Sequence, residues 1–173
     1  ELRPAIEEPA RRGGWEFEHG LVEVILKDLS THGSHEPEPG ALPLLSHALL
    51  ATWERRRGRM LTLEGYNASG GVRGAIAETA ESVYTDQLDQ TQREIAHNIF
   101  LRLTELGEGS ADTRRRASLN ELMRQFAEAA QLRGVLNIRA EARLIILNED
   151  SAEVAHEALI REWQRLHEWL TQD

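Results

Sequence analysis

Cysteine is absent from the 173 residues, which excludes disulfides and every metal site built on thiolates. No apolar run approaches the roughly 20 residues needed to cross a bilayer. No signal-peptide pattern opens the chain, and its first residue is Glu1 rather than Met; the reading is a piece of a longer, cytoplasmic protein. A basic footprint is missing as well. Twenty basic and 29 acidic residues give −9, whereas nucleic-acid binders carry an excess of Lys and Arg. Eight basic and eleven acidic residues up to Gly70 leave −3, and twelve and eighteen beyond it leave −6. There is no Gly-rich phosphate loop with its lysine and no acidic strand end to hold Mg²⁺. No Ser-His-Asp or paired-carboxylate arrangement stands out by spacing.

What is present is ordinary globular composition, 40% apolar and 28% charged, with apolar positions that recur at helical period almost throughout. Leu2 to Arg12 reads as a short helix, with Pro4 in its first turn and Pro9 kinking or ending it. Leu21, Val22, Ile25, Leu26 and Leu29 form one face of a second. "STHGSHEPEPG" is a loop by its Gly, Pro and Ser content. In "LPLLSHALLATWERRR" the stripe Leu42, Leu45, Leu49 and Trp53 reads as core, with Pro43 in a first-turn position. "LTLEGYNASGG" is a connector with one helical turn begun by Thr62. Val72, Ile76, Ala80 and Val83 mark a helix to about Leu88. Asp89 caps the next, which carries Ile95, Ile99, Leu103 and Leu106.

"GEGSADT" breaks the pattern, "RRRA" reads as a short strand, and Ser118 with Glu121 forms a capping box. Two short helices follow, about Leu119–Phe126 and Glu128–Arg139. "LIIL" and "EVA", separated by "NEDS", read as a hairpin with a four-residue loop. A last helix bears Leu159, Trp163, Leu166 and Leu170. The fold class expected is mainly α: a helical subdomain over residues 1–70, then a winged helix-turn-helix over 71–173 with a small β-hairpin wing.

"VAHEALIREW" places His156 and Glu157 where that hairpin gives way to a helix. Glu157 in a first turn complements the positive end of the helix dipole. His156 is either a hydrogen-bonded corner residue or a group reaching out to an anion, since an imidazole N–H makes a strong bond to phosphate. "HGSHEPE" gathers His32, His35, Glu36 and Glu38, but metal sites need fixed geometry, and no metal is expected there. "RRRA" and Arg55, Arg56, Arg57 and Arg59 read as solvated faces or partner contacts.

Five stretches together resemble the bacterial STAND ATPases, signalling P-loop ATPases often fused to WD-repeat propellers. These are "ELRPAIEEPARRGG", "PGALPLLSHALLATWERR", "LTLEGYNASGGVRGAIAETAE", "FLRLTELGEGSADTRRR" and "VAHEALIREWQRL". The resemblance covers nearly the whole chain and implies the lid and winged-helix region that follows the nucleotide-binding core. Gly40-Ala41-Leu42-Pro43-Leu44 is similar to the Gly-Leu-Pro-Leu lid motif, whose proline packs on adenine; an alanine separates Gly40 from Leu42. Ala155-His156-Glu157 is similar to the Met-His-Asp motif, whose histidine contacts the ADP β-phosphate in the closed state; Ala155 and Glu157 depart from it.

The resemblance thus implies Leu42, Pro43 and His156 as nucleotide contacts and ADP or ATP as the nucleotide of the full-length protein. It implies the upstream P-loop core and a downstream sensor or propeller as partners within the same chain. From the residues themselves no membrane partner and no catalytic residue are expected in this piece, which should not hydrolyse ATP alone. The competing readings are a DNA-binding winged helix, with Glu128, Arg133 and Arg139 on its recognition helix, and a module that docks a propeller or partner protein.

Overall fold

The computed structural model describes residues 2–30, 41–107, 112–124, 126 and 129–172. The chain is mainly helical with small sheets and divides into two compact units, Glu1–Ala75 and Ile76–Asp173.

The first unit holds α1 (Leu2–Gly13), β1 (Glu16–Phe17), α2 (Leu21–Asp28), α3 (Ala41–Glu54), β2 (Met60–Leu61), α4 (Leu63–Ala68) and the start of α5 (Gly71–Ser82). Pro9 does not end α1, which runs through it to Gly13. Pro9 and Ala5 are both exposed, so the carbonyl that loses its intrahelical donor can turn to water. β1 and β2 pair in parallel, Glu16 beside Met60 and Phe17 beside Leu61. Thr62 caps α4 by accepting from the Gly65 N–H at 3.0 Å, and Glu18 accepts from the Leu63 N–H at 2.7 Å. Tyr66, 1% exposed, donates to Asp28 at 2.6 Å and accepts from the Val72 N–H at 3.2 Å. Burial, aided by that bond to Asp28, pushes its phenol pKa up.

The stripe expected on α3 is displaced. Its buried residues are Ala41, Leu44, Leu45, His47, Ala48, Ala51 and Thr52, while Leu42 is 62% exposed and Leu49 and Trp53 are half-buried. The segment is apolar nearly all round, so periodicity alone leaves its rotation open. Small Ala48, Ala51 and Thr52 form the side that meets the unit's interior; the Thr52 hydroxyl is satisfied by donating to the Ala48 carbonyl at 2.6 Å.

In the second unit α5 ends in a π-helical turn, Val83–Gln87. Asp89 then caps α6 (Gln90–Arg102) with a reciprocal box, accepting from the Gln92 N–H while the Gln92 side chain accepts from its own. The chain turns at Leu103 into β3 (Thr104–Glu105), so Leu106, placed on the helix face by the sequence, lies beyond α6 and is 55% exposed. "TRRRAS" is not one strand. It supplies β4 (Thr113–Arg114), paired with β3, and β5 (Ala117–Ser118), paired with β7.

Two helices follow, α7 (Leu119–Met123) and α8 (Ala129–Glu141), then β6 (Ile145–Leu147) and β7 (Ser151–Val154). Arg143, at φ 57°, turns the chain out of α8, with Arg143 and Leu144 N–H groups closing on the Ala140 and Arg139 carbonyls, both at 2.9 Å. The hairpin loop is three residues, Asn148–Asp150, not four, because Ser151 opens β7. The antiparallel sheet has the order β5-β7-β6.

Ser118 caps α7, accepting from the Glu121 N–H at 3.1 Å. The Glu121 carboxylate instead takes both terminal nitrogens of Arg115, at 2.9 and 3.1 Å; an ion pair displaces the second half of the expected box. The last helix is two, α9 (Glu157–Glu162) and α10 (Gln164–Gln172), broken at Trp163, whose ψ is 99°. The buried series Leu159, Trp163, Leu166 and Leu170 is nevertheless kept. Among the described residues no helix is long and apolar enough to cross a membrane.

Candidate functional site

At the start of α3, Ala41, Leu44 and Leu45 are buried and fix the helix, and that rotation turns Leu42 outward. Pro43, beside it, is half-buried and lies in the first turn, where a missing N–H costs little. Leu42 thus leaves an exposed apolar side chain at the start of α3. Gly40 lies outside the described residues, as do His32, His35, Glu36 and Glu38. Among the described residues no group of three His, Asp or Glu is placed to hold a metal ion.

In the second unit β7 delivers the chain into the α9 corner. The Ala155 N–H donates to the Leu144 carbonyl at 2.9 Å, prolonging the hairpin. His156 then adopts extended backbone (φ −153°, ψ 144°) as the residue preceding α9, and its Nδ1 accepts from the Ala158 N–H at 2.9 Å. The imidazole is thus a helix cap, and only 5% exposed. A nitrogen that accepts holds no proton, so in this cap Nδ1 is the acceptor and a ring N–H falls to Nε2. Arg114 flanks the corner, donating to the Ala155 carbonyl at 3.4 Å and lying 3.6 Å from the Glu157 carboxylate. The sequence run of three arginines is spent internally: Arg115 on Glu121, which raises its own pKa and lowers that of the carboxylate, and Arg116 on Glu153 at 3.0 Å.

One cluster was not singled out from the sequence. Arg139, at 0% exposure, lies within 6 Å of the ring centres of Tyr84, Phe100 and Trp163. Its Nη1 reaches the Ala80 carbonyl at 3.4 Å, while Nε and Nη2 have no hydrogen-bond partner. Burial pushes its pKa down to about 10. The neighbouring carboxylate, Glu81, is held by Trp163 Nε1 at 2.8 Å and by Arg165 Nε at 3.0 Å. Arg165, then Trp163, lower the Glu81 pKa against the cost of its burial. The spacing of Glu81, Arg139, Trp163 and Arg165 carries no pattern in the sequence.

This burial bears on the helix read as a DNA-recognition element. Of the three residues assigned to it, Glu128 lies outside the described residues, Arg139 is enclosed, and Arg133 is exposed.

Over residues 1–173 the chain matches the sequence model of a STAND NTPase family, which makes it an NTPase-associated region. That family is Novel STAND NTPase 1 (nSTAND1), and the chain belongs to it. No curated protein and no solved structure matches it.

Proposed function

We propose that this chain is the regulatory, nucleotide-sensing region of a STAND ATPase, a helical lid followed by a winged helix that together clamp ADP on a P-loop core elsewhere in the same protein. The observation that carries the reading is Leu42. At 62% exposure, beside Pro43 at the start of a helix whose other first-turn residues are buried, it is offered where the family's lid motif meets the adenine. The succession α6, β5, α7, α8, β6, β7 with sheet order β5-β7-β6 supports the winged-helix reading, with β6 and β7 as the wing.

His156 serves this reading through Nε2. Nδ1 is fixed on the Ala158 N–H, which orients the ring at the start of a helix, the end that favours an anion. A hydrogen bond to a charged group is worth roughly 1.5–3 kcal/mol, enough to bias a closed state. The ATPase chemistry belongs to the P-loop core; this chain, lacking it, binds ADP weakly by itself and does not hydrolyse ATP. Docking of a propeller or other sensor on the same region is compatible with the clamp. The DNA reading is disfavoured because α8 offers the solvent Arg133 alone among its described cations, and specific binding needs several phosphate contacts.

Leu42→Glu tests the proposal. An exposed residue can change without loss of fold, so the melt of this chain should be unaltered, while the full ATPase should release ADP faster. Release at the wild-type rate would refute the lid assignment.

A further inference from the structure

The C-terminal end of α3 carries a second surface, independent of the nucleotide reading. The Trp15 and Trp53 rings meet edge to face, 5.7 Å apart at 89°. The Arg56 guanidinium lies 4.0 Å from the centre of Trp53 and 4.8 Å from that of Trp15, and that of Arg59 lies 6.0 Å from Trp15. Two glycines make room for this. A Cβ on Gly13 would sit 2.7 Å from Trp15 Cδ1, and one on Gly14, whose φ is +72°, would sit 3.2 Å from Arg59 Nη1. Any other residue at either position would push the ring or the guanidinium away.

The charge of this surface runs against that of the chain. Six of the nine cations of residues 1–75 fall in the stretches 11–16 and 53–60, which together carry +4 in a chain of −9. Arg11 and Arg12 are paired with Glu8, and Arg57 with Glu64. Arg56 and Arg59 make no ion pair among the described residues. Closing off α3 explains only part of this: Arg56 donates Nη1 to the Trp53 carbonyl at 2.9 Å and keeps its remaining N–H groups, and Arg59 makes no such bond. Met60, next to Arg59, is 39% exposed, and Leu50, one turn before Trp53, is 51% exposed.

We propose that this surface docks an acidic peptide segment of a partner protein. Trp, Arg and Met are the residue types enriched where protein interfaces concentrate their energy. A guanidinium held over an indole loses little freedom when its fork takes a carboxylate. The two guanidiniums share Trp15 and are within about 11 Å of each other, a span covered by three residues of extended chain, so carboxylates up to three positions apart reach both. Apolar side chains between them would meet Met60 and Leu50. A nucleic acid fits less well, because Arg56 already covers indole surface on which bases would stack and two unpaired cations are few for phosphates.

The test is fluorescence anisotropy of this chain with a labelled twelve-residue peptide of repeating Glu-Asp-Leu. Saturable binding is expected, weakening with added salt and absent for the Gln-Asn-Leu counterpart. Arg56→Gln with Arg59→Gln should weaken it about tenfold or more, and Arg133→Gln, on the exposed face of α8, should not change it. If the double glutamine variant melts early, Arg56→Lys with Arg59→Lys keeps the charge and should still lose several-fold through the missing planar fork. No binding up to about 0.2 mM peptide, or equal binding by the arginine variants, overturns the proposal. So does binding of a uridine oligonucleotide or phosphatidylserine vesicles in place of the peptide.

Discussion

The Trp163 indole N–H donates a 2.8 Å hydrogen bond to Glu81, 82 residues earlier in the chain. It ties the junction between α9 and α10 to the last turn of α5, and it explains why the C-terminal helix breaks where it does. Trp163 leaves helical geometry and sets its ring against Phe100 at 5.2 Å, over Arg139 at 5.7 Å. Trp163→Phe keeps an aromatic ring in that position and removes only the donor and part of the volume. Since the acceptor is charged, the loss should be about 2 kcal/mol, read as a lower urea midpoint with an unchanged slope.

Arg139 separates two effects that a single deletion would confuse. Its buried charge has two nitrogens without a hydrogen-bond partner and a pKa pushed down to about 10 by burial, so the charged form is disfavoured in the fold. Exchanging such a group for an apolar one of similar length is often neutral or stabilising. Arg139→Met should hold or raise the melting temperature, whereas Arg139→Ala empties the space beneath three rings and should cost about 2–4 kcal/mol. A Met variant as unstable as the Ala variant would show that the cation itself, through the rings and Glu81, is what the fold requires.

The same region shows how far the sequence could be read. Where one residue decides a local event, the sequence was sufficient: Asp89 and Thr62 cap their helices, and Val72, Ile76, Ala80 and Val83 are buried as their spacing demands. It failed where a choice among equals depended on tertiary partners. α3 could have buried Leu42, Leu49 and Trp53 as readily by hydropathy; the interior selected its small residues instead. Glu121 had a local partner in its cap, and Arg115 offered a bidentate one. Arg139 stands at a position that hydropathy assigns to solvent, and nothing short of the Tyr84, Phe100 and Trp163 cage would reveal that it is enclosed. At the candidate site Leu42, Pro43 and His156 were named from motif positions alone. That His156 Nδ1 is committed to the backbone was not legible, because capping by a histidine leaves no pattern in sequence.

Glu81 should give the chain an acid-side dependence. Its carboxylate pKa is held below the ordinary 4.5, first by the hydrogen bond from Arg165 and then by that from Trp163. A depressed folded-state pKa means that the charged form stabilises the fold. The contribution is complete above the unfolded value and is lost as the pH falls through the lower, folded one. Stability of the wild type should therefore decline from about pH 5 downward more steeply than that of Glu81→Gln. Both partners are about a third or more exposed, so the difference will be modest and should shrink in high salt. Equal acid slopes for the two proteins would show that Glu81 contributes nothing by its charge.

His156 carries the last prediction, because two roles fall on one ring. Nδ1 caps α9 through the Ala158 N–H, and the proposed phosphate contact falls to Nε2. His156→Ala removes both. His156→Asn can restore the cap, since asparagine is among the best residues at that position, but it places no donor where Nε2 stood. In this chain the Ala variant should lose about 1 kcal/mol and the Asn variant much less. In the full ATPase both variants should release ADP faster, with the closed–open balance moved about 10- to 100-fold if the contact is worth 1.5–3 kcal/mol. A purely structural histidine predicts another pattern, in which nucleotide release follows stability and the Asn variant behaves as wild type in both measurements. Thermal melts of this chain beside nucleotide-release rates of the full ATPase distinguish the two, and an Asn variant that keeps its ADP would leave His156 a cap and nothing more.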